Sequence, residues 1–297
     1  MPLSDYILYR MAKNRPSPAQ HLVDKLGAEP GTDAYHIAYA RHQFDSKVQE
    51  GIPFPVAGKE VLEIACGHGG ICCFLAVGGA GRVVGVDLDT YRLKIAEAFT
   101  INLNRQLGNG CQLPVTFQEE NACQMSFADN SFDVVIADKA FEHFSDPEGV
   151  MRESFRVLRP GGTLLVPLFS SIYSKYGLHI KHGLKVNSAN VFFSETTIIR
   201  AMKRLAVENP KIYDLYPGLI DNPQRVRDLR RYKDLNDITY REFKQMVDRV
   251  GFQMDWFRPL PTRLGRIVAC IPLLRNTLMM DICSKGAGAS LRKPANS

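Results

Sequence analysis

Between residues 58 and 168 the chain alternates short apolar runs with longer stretches whose apolar residues recur at helical spacing. The runs are 59–65 (KEVLEIA), 82–87 (RVVGVD), 115–119, 132–137 (FDVVIA) and 163–168 (TLLVPL), all of strand length. Between them, 71–78, 90–107 and 147–158 have the spacing and length of crossover helices, with Leu93, Ile95, Ala96, Phe99 and Leu103 lining the middle one. Strands that are nearly continuously apolar and separated by helices predict a parallel sheet covered on both faces, an α/β doubly wound fold.

The rhythm breaks at 170–237, where Tyr173, Tyr176, Phe192, Phe193, Tyr213 and Tyr216 lie among glycines, prolines and many basic residues. One helix is predicted there, at 194–205, with Ser194 as its N-cap. The segment reads as an insertion over the ligand edge of the sheet. The pattern resumes with a helix at 239–250, closed by Gly251, and a strand at 252–258. Residues 277–283 are expected to form the final strand. The resulting division is an N-terminal helical cap (1–57), a core (58–169), a lid or acceptor-binding insertion (170–237), the final helix and strands of the core (238–285) and a flexible tail (286–297).

Composition narrows the class. The 297 residues are 45% hydrophobic, with 37 basic against 31 acidic side chains, which describes a globular chain. No apolar run approaches the roughly 18 residues of a membrane span. Asp5, Arg10, Lys13 and Arg15 interrupt the first 18 residues, leaving no secretory h-region. Seven cysteines, an odd number without C-x-x-C or Cys/His zinc spacing, fit a reducing, cytoplasmic setting and no metal. Charge is unevenly placed: residues 58–150 carry six basic and thirteen acidic groups, residues 151–297 twenty-five and twelve. A basic half suits a solvated surface first, and an anionic acceptor, membrane headgroups or RNA second.

The most informative stretch is 61–70, VLEIACGHGG. A strand delivers Glu63 and turns through Gly67, Gly69 and Gly70 into a helix, so a ligand can lie against bare backbone at a helix N-terminus. A pyrophosphate would meet the Glu63 carboxylate unfavourably, whereas an ammonium and a sulfonium would not. Twenty residues beyond Gly67, Asp87 ends the second strand, where a carboxylate can accept from both ribose hydroxyls. Asp89 suits the N-cap of the following helix.

VLEIACGHGG, VVGVDLD, ENACQMSFADNSFDVVIADKAFEHF and LRPGGTLLV, in that order and at these intervals, resemble the class I S-adenosylmethionine-dependent methyltransferases of small-molecule type, the methyltransferase type 11 group. The resemblance is close over 58–168 and looser over 235–250. It implies a seven-stranded Rossmann-like sheet of order 3-2-1-4-5-7-6 with the last strand antiparallel. It further implies that Glu63, Ala65 and Gly67 line the methionine end of S-adenosylmethionine, that Asp87 takes the ribose with Leu88 against the adenine, and that Asn121 and Ala122 meet the adenine edge. Asp138 would lie near the methionine portion and the transferred methyl. Ala65 and Asn121 replace the usual glycine and aspartate.

Methyl transfer is an in-line displacement at an activated carbon, so positioning supplies much of the acceleration. A base is needed only where the acceptor loses a proton. His143, in the EHF after the fourth strand, is the best-placed candidate, and a structural role near the cofactor is its alternative. His179 and His182 are weaker candidates. The cysteines at 66, 72 and 73 read as packing residues, and Arg225, Arg227, Arg230, Arg231 and Lys233 as a solvated basic cluster. The expected function is methylation of a small-molecule acceptor, an oxygen nucleophile first. An RNA methyltransferase, an NAD(P)-dependent dehydrogenase and a non-catalytic binding protein are the rivals.

Overall fold

The computed structural model describes residues 2–13, 26–28, 31–50, 56–108, 110–179, 184, 186, 188–209, 235–271, 273–274 and 276–295. Two helices, α1 (Leu3–Lys13) and α2 (Asp33–Glu50), precede the alternating part. That part runs β1 (Glu60–Ile64), α3 (Gly70–Val77), β2 (Arg82–Asp87), α4 (Thr90–Leu107), β3 (Val115–Glu119), β4 (Phe132–Ile136), a 3-10 turn (Phe141–His143), α5 (Pro147–Val157) and β5 (Leu158–Phe169). Among the described residues, the chain continues with α6 (Ala189–Phe192), α7 (Glu195–Glu208), α8 (Tyr240–Val250), β6 (Gln253–Pro261), α9 (Arg263–Cys270), α10 (Leu278–Ile282) and β7 (Ser284–Arg292).

The seven strands form one sheet of order β3-β2-β1-β4-β5-β7-β6, as expected. β1 to β5 pair in parallel, and β7 is antiparallel to both β5 and β6. Two apolar layers cover its faces: Leu62, Ile64, Val135 and Phe169 join one with Phe243 of α8, while Val61, Val83 and Val134 join the other with Phe74 of α3 and Phe99 of α4. Period two along β1 therefore puts Glu63 on the Val61 face, beneath α3.

Local chemistry sets the helix ends. Asp89 caps α4 by accepting from the Tyr91 and Arg92 amides, and Ser194 caps α7 through the Thr197 amide. Thr239 and Glu242 form a reciprocal capping box at α8, which Gly251 closes in a left-handed conformation.

The C-terminus departs from expectation. Residues 277–283 form α10, capped by Thr277, and the final strand is Ser284–Arg292, most of what was read as a flexible tail. SKGAGASLR lacks β-branched residues, yet it lies between two strands where Ala287, Ala289 and Leu291 are fully buried. Small side chains are what the crowded centre tolerates: a Cβ on Gly288 would lie 2.6 Å from the Pro167 oxygen. The N-terminal segment also divides. α1 packs on α7, where Leu8, Tyr9 and Ala12 join Ile198 and Met202 in a separate apolar core, while α2 packs on α3 and α4.

Candidate active site

A cavity of about 1130 Å³ opens at the carboxyl ends of the parallel strands, and all nine residues singled out from sequence line it. Glu63, Ala65 and Gly67 come from the end of β1 and its turn, Asp87 and Leu88 from the end of β2, and Asn121 and Ala122 follow β3. Asp138 and His143 follow β4. The crossover topology accounts for this: each parallel strand delivers its next loop to the same edge.

The turn after β1 is left-handed at Ala65 (φ 54°) and Gly67 (φ 54°). Gly67 adopts this conformation freely, and Ala65 does so against its Cβ. Gly70 has a different role, since a side chain there would collide with the Ala40 carbonyl of α2. Its absence lets α2 close over the turn.

Asp87 is fixed by two backbone donors. The Gly67 amide donates to its Oδ2 at 2.9 Å and the Asp89 amide to its Oδ1 at 2.9 Å, leaving lone pairs on both oxygens for a ligand. Glu63 lies deeper, 2% exposed, and accepts from the Cys72 thiol at 2.8 Å. Burial above all, opposed by the Cys72 bond, assisted by nearby Asp138 and opposed by Lys47, raises its pKa to about 8. Cys72 is thus a partner of Glu63 as well as a packing residue. Asn121 turns its side-chain oxygen onto the Cys123 amide at 3.0 Å, so one lone pair and the amide nitrogen are what it can offer a ligand.

Sequence reasoning missed the wall contributed by α2. Tyr39 and Gln43 line the cavity, and Lys47 lies 3.7 Å from the Asp138 carboxylate. Their i, i+4, i+8 spacing was the available signal. His68, from the glycine turn, stacks on His36 with ring centroids 4.8 Å apart. Burial, then His36, lowers its pKa to about 4, so it is neutral at pH 7. Gln43 Oε1, His68 Nε2 and Asp138 Oδ1 are buried without a hydrogen-bond partner, and all three residues line the cavity.

Beyond β4, the His143 and His179 rings lie 4.9 Å apart, and His179 Nε2 lies 3.7 Å from Glu142 Oε1. Burial raises the Glu142 pKa to about 7, against the pull of the Glu142 and Ser170 amides. Ligand atoms of these three residues fall within 4.8 Å of one another, close enough to share a cation. His182 and the Arg225–Lys233 cluster lie outside the described residues, as do Tyr213 and Tyr216.

Comparison with known proteins finds similarity over the strands that carry these residues. Residues 62–166 match the family model of a methyltransferase domain. Sterol 24-C-methyltransferase erg6 of Aspergillus fumigatus is 35% identical over 130 residues, 44% of this chain and 32% of that protein. Ubiquinone/menaquinone biosynthesis C-methyltransferase UbiE of Vibrio campbellii is 28% identical over 186 residues, 55% of this chain and 70% of that one. The chain spans about a third of the length of the sterol relatives it matches. Among solved structures, the [4+2]-cyclase SpnF superposes with a TM-score of 0.50 at 15% identity, covering 99% of this chain and 97% of that one.

The sheet order and the glycine turn are those of the class I S-adenosylmethionine-dependent methyltransferase fold. Over residues 62–166 the chain is similar to that family's methyltransferase domain.

Proposed function

We propose that the protein transfers a methyl group from S-adenosylmethionine to a small-molecule acceptor that gives up a proton, an oxygen nucleophile being the expected atom. The observation that carries this reading is the set of acceptor groups facing one cavity: Asp87, anchored by two amides, with Gln43 Oε1 and Asp138 Oδ1 unpartnered. A fold neighbour that is a cyclase means that the site, more than the fold, supports the reaction.

When bound, the donor supplies a methyl on a positively charged sulfur, so displacement breaks the S–CH3 bond, forms the acceptor–CH3 bond and leaves a neutral thioether. Glu63, Asp138 and Gln43 receive the ammonium end, with Ala65 and Gly67 against the chain, and Asp87 receives the ribose hydroxyls. Leu88, Asn121 and Ala122 hold the adenine. His143 takes the acceptor's proton, backed by His179 and Glu142. Oxygen and carbon acceptors both release a proton in giving a neutral methylated product, so the same base suits the carbon acceptors named for the relatives. A pyrophosphate would instead face the carboxyl groups of Asp138 and Glu120, which disfavours a nicotinamide dinucleotide.

Calorimetry tests the reading. S-adenosylmethionine and its demethylated product should bind, nicotinamide dinucleotides should not, and Asp87→Ala should weaken donor binding by about 1.5 to 3 kcal/mol. His143→Ala should lower turnover by about 10² or more at unchanged donor affinity. Unchanged donor binding by Asp87→Ala would sink the ribose assignment, and donor binding without turnover on any small molecule would favour a binding protein. Steeply salt-dependent RNA binding would favour the RNA methyltransferase.

A further inference from the structure

The connection from β6 to β7 carries a surface that the proposed methyl transfer does not use. β6 runs parallel to β1–β5, and Pro261 at its end pairs with Ser284 at the start of β7. α9 and α10 therefore sit at the carboxyl edge of the sheet, the edge on which the cavity opens. Thr262 caps α9, and Val268 turns inward against Met280 and Cys283. Leu264, Ile267 and Ile271, at i, i+3 and i+7, face outward together with Leu273, Leu278 and Met279, and these six are 40 to 86% exposed. A contiguous set of large apolar side chains on solvent marks a contact surface.

Charge identifies the partner. From Trp256 to Met280 there is no aspartate or glutamate and there are four arginines, and Arg258, Arg263 and Arg266 are exposed beside the apolar stripe. The flanking carboxylates are engaged elsewhere: Asp255 pairs with Arg292 at 2.7 Å, and Asp281 is buried, accepting from the Ser171 hydroxyl and the Tyr240 amide. A second copy docking by two-fold symmetry would bring arginines against arginines. An anionic bilayer instead offers hydrocarbon to the leucines and isoleucines and phosphates to the arginines, the combination that interfacial helices use. Among the described residues no helix is long and apolar enough to cross a membrane, and this surface needs none.

We propose that α9 and α10 form a membrane-surface contact that seats the sheet's carboxyl edge on anionic phospholipid. The proposal does not depend on the methyltransferase reading.

Vesicle flotation with the full chain tests it, using phosphatidylcholine alone and phosphatidylcholine mixed with phosphatidylglycerol. The wild type should partition at least tenfold more strongly onto the mixed vesicles, and added salt should weaken it. Arg263→Ala with Arg266→Ala, and separately Leu264→Glu with Ile267→Glu, should each lose about tenfold or more, with thermal unfolding unchanged. A fluorophore on the exposed Cys270 reports insertion in the otherwise unmodified chain and should shift to the blue on the mixed vesicles. No preferential partitioning, full retention by the Leu264/Ile267 variant, or an unshifted label overturns the proposal. So does self-association in sedimentation that the same variant abolishes, since the occupant would then be a second copy.

Discussion

Ala65 in the turn after β1 and Glu63 within the strand are both held against their intrinsic preferences. Ala65 is held at φ 54°, a region that penalises a Cβ by about 1 to 2 kcal/mol, while glycine's greater freedom in the unfolded chain offsets part of the relief. Ala65→Gly should therefore raise stability by about 0.5 to 1 kcal/mol in denaturant titration, with donor affinity within a few-fold of the wild type. A loss of stability would show that the alanine methyl is packed favourably. Glu63, with a native pKa near 8, and Glu142, near 7, both ionise from 4.5 in the ordinary case. The native state holds these protons while the unfolded chain releases them, so their contribution to stability is complete below pH 4.5 and declines as pH rises toward 8. A cation seated beside Glu63 reverses its protonation. Donor binding at pH 6.5 should release about one proton, read from the dependence of calorimetric heat on the buffer's ionisation enthalpy, and Glu63→Gln should abolish the release.

At the scale of elements, legibility followed the strength of the local signal. β2, β3 and α4 fall where period and caps put them, because near-continuous apolar strands and an aspartate N-cap leave few alternatives. That nine residues named from sequence would line one cavity was readable for the same reason: strand ends in a doubly wound sheet share one edge. Ser284–Arg292 was not readable, since its strand character comes from being held between β5 and β6 and not from propensity. Nor was α2 as a cavity wall, because its contact depends on a missing atom, the Cβ of Gly70, facing Ala40. That gives α2 a test. Gly70→Val should push α2 off the turn, displacing Tyr39 and Gln43 and weakening donor binding about tenfold or more, while Val77→Ala, at the exposed end of α3, should leave donor affinity alone. Equal affinities would mean that α2 adds nothing to the site.

Among the described residues, the sheet's core and the insertion's core make different claims on stability. The sheet and its covering helices account for the two large apolar layers, whereas the insertion's own core is closed by a helix from the other end of the sequence. Leu8, Tyr9 and Ala12 of α1 pack against α7, Lys13 pairs with Glu208 at 3.0 Å, and Arg200 reaches Asp5 at 3.4 Å. The Tyr9 hydroxyl also donates to Glu208, beneath the Arg204 guanidinium 4.1 Å from its ring. Joining a small core through a terminal helix makes a unit that can open without unfolding the sheet, which is what a cover over an acceptor must do. Hydrogen exchange should find α1 and α7 opening together, at lower free energy than β1, β2 and β4. Leu8→Ala removes buried volume from this core and should cost about 2 to 4 kcal/mol there, speeding exchange in α7 while the central strands and donor affinity stay as they were. The product of the donor together with a turned-over acceptor should slow exchange across 170–179 and 188–209. If Leu8→Ala speeds the central strands equally, the two cores form one cooperative unit and the insertion does not act as a lid.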